Sequence, residues 1–405
     1  MSQIAKRTIM TPGPVEAEPR VLRAMSAPIL GQFDPAFTEM MNETMAMLRK
    51  LFQTNNHWAY PIDGTSRSGL EAVLTSLIEP GDRVFVPIYG RFGHLLVEIC
   101  ERLEAEVHTI ECEWGTVFSE DEVIAELKIV QPKILACVHG ETSTGCLMPL
   151  EKIGRACRDE DVLFVVDAVA TIGGVEFKVD DWFIDAAIGG TQKCLSVPSG
   201  MAPITYNSRA EAVINRRKKV ERGIATEQDQ TQPESTIIRS NYFDLSQLQD
   251  YWSPRRLNHH TEATSMIYGL HEGLRVLLEE GLQSRFERHI YHEKALIAGI
   301  KAMGLELYVE HEQKLPVVTC ITVPNGIDAD AVRSFMLTHF GVEIASSFGP
   351  LHGKIWRIGS MGFSCRKENI LFALSALEAT LLFQGAAIES GTGVQAALRY
   401  YEARE

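Results

Sequence analysis

The first half of the chain alternates short apolar runs with amphipathic helical patterns. Arg83–Ile88, Lys133–Val138 and Val162–Val166 are mostly apolar, whereas Ser119–Val130 and Pro149–Cys157 repeat apolar residues at helical spacing. Strands that are apolar on both faces must be covered on both sides, so the pattern predicts an α/β fold with a mostly parallel sheet between helices. Because ligands bind at the carboxyl ends of the strands in such sheets, we expect functional residues just after each apolar run.

The second half predicts a smaller α+β domain. Residues 224–256 are rich in polar residues and predict a loop-rich segment. Helical patterns follow over 261–280 and 282–303, separated by Gly281; strand and helix patterns then alternate, with a helix predicted over 328–340. The expected division is an N-terminal arm over residues 1–18, a large domain over 19–280 and a small C-terminal domain over 281–405.

Composition excludes several classes of partner. The chain has 405 residues and a formal net charge of −14, so it lacks the positive field that nucleic acids or anionic membranes require. Its eight cysteines form no C-x-x-C pair, which predicts reduced thiols in a cytoplasmic enzyme. No metal site is predicted, because the histidines at 259–260, 289 and 292 lack a suitable set of carboxylate or cysteine ligands nearby in sequence.

Lys193 is the first candidate catalytic residue. It follows the apolar run Ala186–Ile188 and the pair Gly189–Gly190, which lets backbone and ligand approach closely. Desolvation lowers the pKa of a lysine, and an amine that attacks an aldehyde needs a lowered pKa. A surface lysine in a loop explains this segment equally well.

Asp167 ends the apolar run Val162–Val166. A buried carboxylate needs a partner, and a protonated pyridine nitrogen is one such partner. The alternative is an aspartate that caps a helix or bonds to its own backbone, as is common at strand ends. The spacing between Asp167 and Lys193 allows one crossover and a return strand, so both can face one pocket.

The segment Gly64–Gly69 precedes a helical stripe of apolar residues. Glycine, threonine and serine at the start of a helix offer free N–H groups and hydroxyls at the positive end of its dipole, which suits a phosphate. The segment is not a P-loop, since Gly-x-x-x-x-Gly-Lys is missing. The alternative is an N-capped helix without a ligand.

Tyr89 and Arg357 are candidates for other ligand contacts. Tyr89 lies just past a strand end, where it can stack on a planar ring. Arg357 lies between apolar neighbours in the small domain, and its guanidinium can bind a carboxylate bidentately. The alternatives are an ordinary packed tyrosine and an arginine in a structural ion pair.

Six motifs occur together in a recognisable order. They are Thr11–Val15, Gly64–Gly69, His139–Gly145, Asp167–Val169, Thr191–Lys193 and His259–Thr261. Over nearly the whole chain, this combination resembles class V pyridoxal-phosphate-dependent aminotransferases of the alanine:glyoxylate and serine:pyruvate type. The resemblance implies fold type I, with a mostly parallel seven-stranded sheet and a small C-terminal domain. It also implies pyridoxal 5'-phosphate as cofactor and a homodimer whose active sites lie at the subunit interface.

The resemblance implies a role for each candidate residue. Lys193 holds the cofactor covalently and moves the substrate proton, and Asp167 keeps the ring nitrogen protonated. Tyr89 stacks on the ring, Thr142 lies near the ring oxygen, and Arg357 binds the substrate carboxylate. The residues that bind the phosphate are Thr65, Ser66, Arg67, Gln192 and, from the other subunit, Thr261.

Gly31–Asp34 and Leu257–Thr261 carry a narrower resemblance, to family members that act on (S)-ureidoglycine and glyoxylate in purine catabolism and give oxalurate and glycine. Asn258 stands where alanine:glyoxylate enzymes usually have a tyrosine that reaches the neighbouring subunit's phosphate. Gln32 and Asn258 together offer donors and acceptors that match a ureido group. The alternative is that Asn258 merely caps the following helix.

Three other functions fit parts of the pattern. An alanine–glyoxylate or serine–glyoxylate aminotransferase would use the same scaffold, with Asn258 incidental. A cysteine desulfurase needs a mobile, exposed cysteine, whereas Cys320 lies within an apolar run. A nucleotide-binding module would use the sheet without catalysis.

Overall fold

The computed structural model describes residues 5–226, 229 and 233–403. The α-helices of these residues are α1 (Pro19–Met25), α2 (Pro35–Phe52), α3 (Ser66–Leu77), α4 (Arg91–Arg102), α5 (Glu120–Val130), α6 (Glu151–Asp159), α7 (Ser208–Arg216), α8 (Leu245–Trp252), α9 (Thr264–Glu280), α10 (Leu282–Ala302), α11 (Ala329–Phe335), α12 (Lys367–Phe383) and α13 (Thr392–Glu402). The strands are β1 (Thr8–Ile9), β2 (Trp58–Asp63), β3 (Arg83–Ile88), β4 (Glu106–Glu111), β5 (Ile134–Val138), β6 (Gly140–Glu141), β7 (Cys146–Leu147), β8 (Leu163–Asp167), β9 (Ala186–Ile188), β10 (Met201–Tyr206), β11 (Val318–Thr322), β12 (Val342–Glu343), β13 (Ala345–Ser346) and β14 (Ile355–Gly359). Within the part of the chain that is described, no helix combines the length and the apolar character needed to cross a bilayer.

A seven-stranded sheet forms the centre of the large domain, in the order β2-β10-β9-β8-β5-β3-β4. β10 runs antiparallel to both of its neighbours, and the pairs from β9 to β4 are parallel. β5 and β8 are buried along their whole length, as their apolar sequences predict, whereas β4 at the edge is half-buried to exposed. This sheet confirms the predicted α/β fold and places β8, which ends in Asp167, at its centre.

The small domain is built on the antiparallel three-stranded sheet β11-β14-β13. α10 and α12 contribute Leu296 and Leu374 to a second core, which also contains Trp356 of β14. β1 pairs with β12, and Met10 joins the same core, so the segment near the amino end is bound to the small domain. The boundaries at 18 and 280 stay predictions, and residues 1–4 and 404–405 lie outside the described part.

Two segments differ from the sequence prediction. Residues 224–256 contain the helix α8, whose residues are all buried and whose first turn is capped by Asp244 Oδ1, 2.9 Å from the backbone nitrogen of Ser246. Leu245, Leu248 and Trp252 recur at helical spacing, but a helix of eight residues among polar neighbours is too short for that spacing to stand out in the sequence. The helix predicted over 328–340 ends at Phe335 and continues as a π-helical turn over Met336–Phe340.

Candidate active site

One cavity of about 410 Å³ lies at the carboxyl edge of the central sheet and reaches the small domain. The sequence-predicted residues that line it are Thr65, Ser66, Arg67, Thr142, Asp167, Gln192, Lys193 and Arg357. Arg91, Phe92 and Phe348 also line it, and sequence reasoning did not single them out. The fold therefore brings together residues that are up to almost 300 positions apart.

Lys193 is buried against the cavity wall, with 8% of its surface exposed. Its Nζ lies 3.4 Å from Thr142 Oγ1. Burial lowers the pKa of Lys193 to about 8; Asp167 opposes this shift, and the charge of Arg357 adds to it. A Cβ on Gly13, which has φ +108°, would lie 3.0 Å from Lys193 Cε, so the Thr11–Val15 loop packs directly on the lysine stem. The surface-lysine alternative is therefore wrong.

Asp167 presents one carboxylate oxygen without a donor. Its Oδ1 accepts a hydrogen bond from the Val169 backbone at 2.9 Å, whereas Oδ2 accepts none from the described residues. Burial raises the pKa of Asp167 to about 6, and the bond from Val169 and the charge of Lys193 partly offset this effect. Backbone bonding thus accounts for one oxygen only, and the other fits a protonated ring nitrogen.

The amino end of α3 forms the opposite end of the cavity. Its N-cap, Thr65, makes no side-chain capping bond, and the N–H groups of Ser66 and Arg67 have no acceptor among the described residues. Gln192 Nε2 donates to Ser66 Oγ at 2.8 Å. Free N–H groups, hydroxyls and the cationic Arg67 at a helix start fit a phosphate dianion.

Arg357 lies on β14 with 6% of its surface exposed. Its Nε donates to the Ser346 carbonyl at 2.7 Å, and its Nη1 donates to the Thr142 carbonyl at 2.8 Å. Burial lowers its pKa to about 10, so the group stays cationic at neutral pH. No carboxylate of the described residues lies within ion-pair distance of it, so the expected alternative of a structural ion pair is not observed. The unpaired charge fits a substrate carboxylate.

Tyr89 does not line the cavity. It is fully buried, and its hydroxyl donates to the carbonyls of Val138 at 2.7 Å and His139 at 3.1 Å. Phe92, in the first turn of α4, lies on the cavity with its ring centroid 5.5 Å from Lys193 Nζ. Phe92 therefore faces the cavity in the place expected for Tyr89, because the chain turns into a helix between the two residues.

Gln32 and Asn258 meet in space, although neither lines the cavity of its own chain. Gln32 Nε2 donates to Asn258 Oδ1 at 2.9 Å, and Gln32 Oε1 is buried with no hydrogen-bond partner. α9 begins at Thr264 with Ala263 as its cap, so Asn258 does not cap it. Asn258 and Thr261 are exposed.

Two carboxylates, those of Asp63 and Glu262, lie beside His260, and the spacing of residues in the sequence did not predict this contact. Its Nε2 lies 3.2 Å from Asp63 Oδ2 and 3.8 Å from Glu262 Oε2. Burial and the neighbouring Asp63 raise the pKa of Glu262 well above its usual range. These contacts hold the 258–261 segment against the end of β2, next to the amino end of α3. The prediction of no metal site stays a prediction.

Cys320 and Cys365 are buried, and burial raises the pKa of each thiol to about 12. A cysteine nucleophile has to be exposed and ionised. Neither thiol meets that requirement, which argues against the desulfurase alternative.

Comparisons with known proteins agree with this geometry. Residues 25–354 match the family model described as aminotransferase class-V. The chain is 69% identical over 397 residues to the (S)-ureidoglycine–glyoxylate transaminase of Bacillus subtilis (strain 168), across 98% of this chain and 95% of that protein. It is 35% identical over 379 residues to the alanine–glyoxylate aminotransferase of Drosophila melanogaster, across 92% of each. The crystal structure of ureidoglycine–glyoxylate aminotransferase from Bacillus subtilis superposes with a TM-score of 0.94 and 66% identity over 99% of each chain.

Proposed function

Because this chain belongs to the class-V aminotransferase family, we propose that it transfers the amino group of (S)-ureidoglycine to glyoxylate, giving oxalurate and glycine. It is a transaminase that depends on pyridoxal 5'-phosphate. The observation that carries the substrate assignment is the contact between Gln32 and Asn258, which leaves a buried amide oxygen unpaired. The high identity to the Bacillus subtilis ureidoglycine enzyme supports the same substrate.

The cavity residues fit the cofactor at three separate points. Pyridoxal 5'-phosphate supplies an aldehyde and an electron-withdrawing ring. Lys193 would hold the aldehyde carbon, Asp167 Oδ2 would accept a hydrogen bond from the protonated ring nitrogen, and the amino end of α3 would bind the phosphate. Phe92, which lines the cavity, would cover one face of the ring, and Thr142 Oγ1 lies beside Lys193 Nζ.

Lys193 and Arg357 then govern the reaction at the substrate. Arg357 binds the carboxylate that ureidoglycine, glyoxylate and glycine share, and this contact sets which bond at Cα stands perpendicular to the ring. The Nζ of Lys193, once free and neutral, takes the proton from Cα. Its lowered pKa suits it to that role, because a general base is most effective with a pKa near the working pH.

The amide pair distinguishes ureidoglycine from alanine. A ureido group offers N–H donors and a carbonyl acceptor, and Gln32 Oε1 is an acceptor without a donor. An alanine methyl group would leave such a buried amide unpaired, at about 1–3 kcal/mol for each group. The same argument disfavours the rival alanine–glyoxylate activity.

We also propose that two copies of the chain share their active sites. Gln32, Asn258 and Thr261 do not line the cavity of their own chain, so the function proposed for them requires a partner's cavity. Close to Gln32, the apolar side chains of Ile29 and Phe33 are 65% and 71% exposed. A partner subunit that covers them would bury apolar area and bring the amide pair to its substrate.

The cysteines support a cytoplasmic location for this enzyme. All eight are free thiols, and all except Cys112 are buried. Proteins of oxidising compartments tend to use cysteines in disulfides, whereas cytosolic proteins keep them reduced. We therefore propose the cytoplasm, with the reaction serving purine catabolism.

We expect Asn258→Tyr to lower turnover of (S)-ureidoglycine by about 10-fold or more, since one amide contact to the ureido group is lost. Turnover of alanine should change by less than about threefold, because alanine offers that amide nothing to bind. The measurement compares the two donors in half-reactions of the purified holoenzyme, followed by cofactor absorbance. Equal losses for both donors would contradict the role of the amide pair.

Mixed dimers test whether Asn258 contributes to the active site of its own subunit or to that of the partner. A dimer of one Lys193→Ala chain and one Asn258→Tyr chain should recover about half of the wild-type ureidoglycine activity, because one site combines Lys193 of one chain with Asn258 of the other. Each parent variant alone should stay low. If mixing restores nothing, Asn258 acts on the cavity of its own chain or on neither, and the shared-site proposal fails.

Loading of the cofactor should depend on pH through Lys193. Only the neutral amine attacks the aldehyde, and its fraction rises about tenfold per pH unit below the pKa. With a pKa of about 8, the loading rate of the apoprotein should rise with pH up to about pH 8 and then level off. Stopped-flow absorbance gives the rate. A rate that still rises tenfold between about pH 9 and pH 10 would show an ordinary lysine pKa.

A further inference from the structure

Arg91 is a second arginine in the active-site cavity, and the mechanism above gives it no role. It is the first residue of α4 and lines the cavity together with Arg357. Its Cζ lies 3.9 Å from the centroid of the Phe348 ring, and the Cζ of Arg357 lies 4.7 Å from the same centroid. One aromatic ring thus contacts both guanidinium groups.

The in-plane donors of Arg91 are free. Its side chain forms no ion pair and donates no hydrogen bond to any residue that the structure describes; its backbone nitrogen donates to Ser143 Oγ at 3.1 Å. Stacking on Phe348 occupies the face of a guanidinium and leaves the N–H groups at its edge available. The ring therefore orients Arg91 without satisfying its donors.

The other anionic groups expected in the cavity already have partners. The cofactor phosphate lies at the amino end of α3 with Arg67, and the substrate carboxylate belongs to Arg357. A donor such as alanine has no further acceptor, so Arg91 would face a methyl group. Because Arg91 is only partly buried, water can satisfy its donors in the free cavity, but a ligand that displaces this water has to offer an acceptor in its place.

We propose that Arg91 binds the ureido carbonyl oxygen of the amino donor, with Phe348 as its positioning residue. The inference rests on the proposed function. It names the residue that would recognise the ureido group of that substrate, at the end away from the carboxylate. The donors and acceptors are complementary: Arg91 donates to the carbonyl oxygen, and Gln32 Oε1 of the partner subunit accepts from an N–H group. Arg357 remains the carboxylate site for both amino donor and amino acceptor.

Two stable ligands test this assignment without turnover. N-carbamoylglycine carries the carboxylate and the ureido carbonyl, and guanidinoacetate has the same shape with a cationic donor in place of that oxygen. The wild-type holoenzyme should bind N-carbamoylglycine at least about 10-fold more tightly than guanidinoacetate, measured by titration calorimetry. In Arg91→Met this preference should fall to within about threefold, and Arg91→Lys should keep part of it.

Arg102→Met is the matched control, since it removes one positive charge from the other end of α4, where the side chain is 71% exposed. It should keep the wild-type preference.

Unchanged cofactor absorbance and thermal unfolding in Arg91→Met and Arg91→Lys would show that both variants remain folded and keep the cofactor bound. If Arg91→Met weakens both ligands equally, or the wild type shows no preference, Arg91 does not bind the ureido oxygen. A wild type with an Arg91-dependent preference for N-carbamoylglycine that transaminates only alanine would refute the proposed function, and with it the role of Arg91 toward the amino donor, while still showing that Arg91 recognises a ureido oxygen.

Discussion

Replacing Lys193 with alanine is expected to lower transamination by at least about 10³-fold and to remove the visible absorbance of the bound cofactor. The reason is that one side chain performs two tasks. In the proposed function its Nζ holds the cofactor, and the same atom moves the Cα proton. Among the described residues that line the cavity, no other lysine is present to take over either task. Absorbance spectra and turnover with glyoxylate as acceptor give the two readouts.

Lys152→Ala is the control for that experiment, because the Lys152 side chain is 66% exposed on α6 and forms only a long contact with Glu120. It should keep wild-type absorbance and turnover. Added methylamine should restore part of the activity of Lys193→Ala, since a small amine can enter the emptied space and carry the proton. If Lys193→Ala retained a tenth of the wild-type turnover, Lys193 would not be the residue that moves the substrate proton.

Asp167→Asn is expected to lower turnover by about 10²-fold or more. Asparagine keeps the shape of the side chain and the bond from the Val169 backbone, so the loop after β8 should stay in place. It removes the charge that keeps the ring nitrogen protonated, and a hydrogen bond between charged groups contributes about 1.5–3 kcal/mol in addition to the long-range attraction. Half-reaction rates and cofactor affinity should both decrease.

Two aspartates serve as controls for Asp167→Asn. Asp181→Asn alters an exposed residue and should change nothing. Asp185→Asn alters a buried carboxylate that pairs with Arg209 at 2.8 Å, so it should lower the unfolding temperature but leave the rate per loaded site unchanged. If Asp167→Asn behaves like Asp185→Asn, then Asp167 is a structural carboxylate and not a partner of the cofactor.

The sequence alone determined the parallel part of the central sheet, and with it the positions of Asp167 and Lys193; β2 and the antiparallel β10 were not predicted. Burial on both faces leaves a local mark, an unbroken apolar run, and the ends of parallel strands meet at one edge whatever the details of packing. The small domain could also be predicted from the sequence, because its strands and long helices follow local periodicity. α8 was not predicted, because its eight residues are too few for the helical spacing of Leu245, Leu248 and Trp252 to stand out among polar neighbours.

Only the tertiary structure decided which of the candidate side chains face the cofactor cavity and which lie in the core. Tyr89 and Phe92 are three residues apart, and the turn between β3 and α4 places one in the core and the other on the cavity. Gln32 and Asn258 are 226 positions apart, and no local pattern links them before the chain folds. Whether a charged group such as Arg357 or Arg91 is left unpaired depends on every element packed around it. That property belongs to the three-dimensional arrangement, since local sequence records which groups are present but not which ones meet.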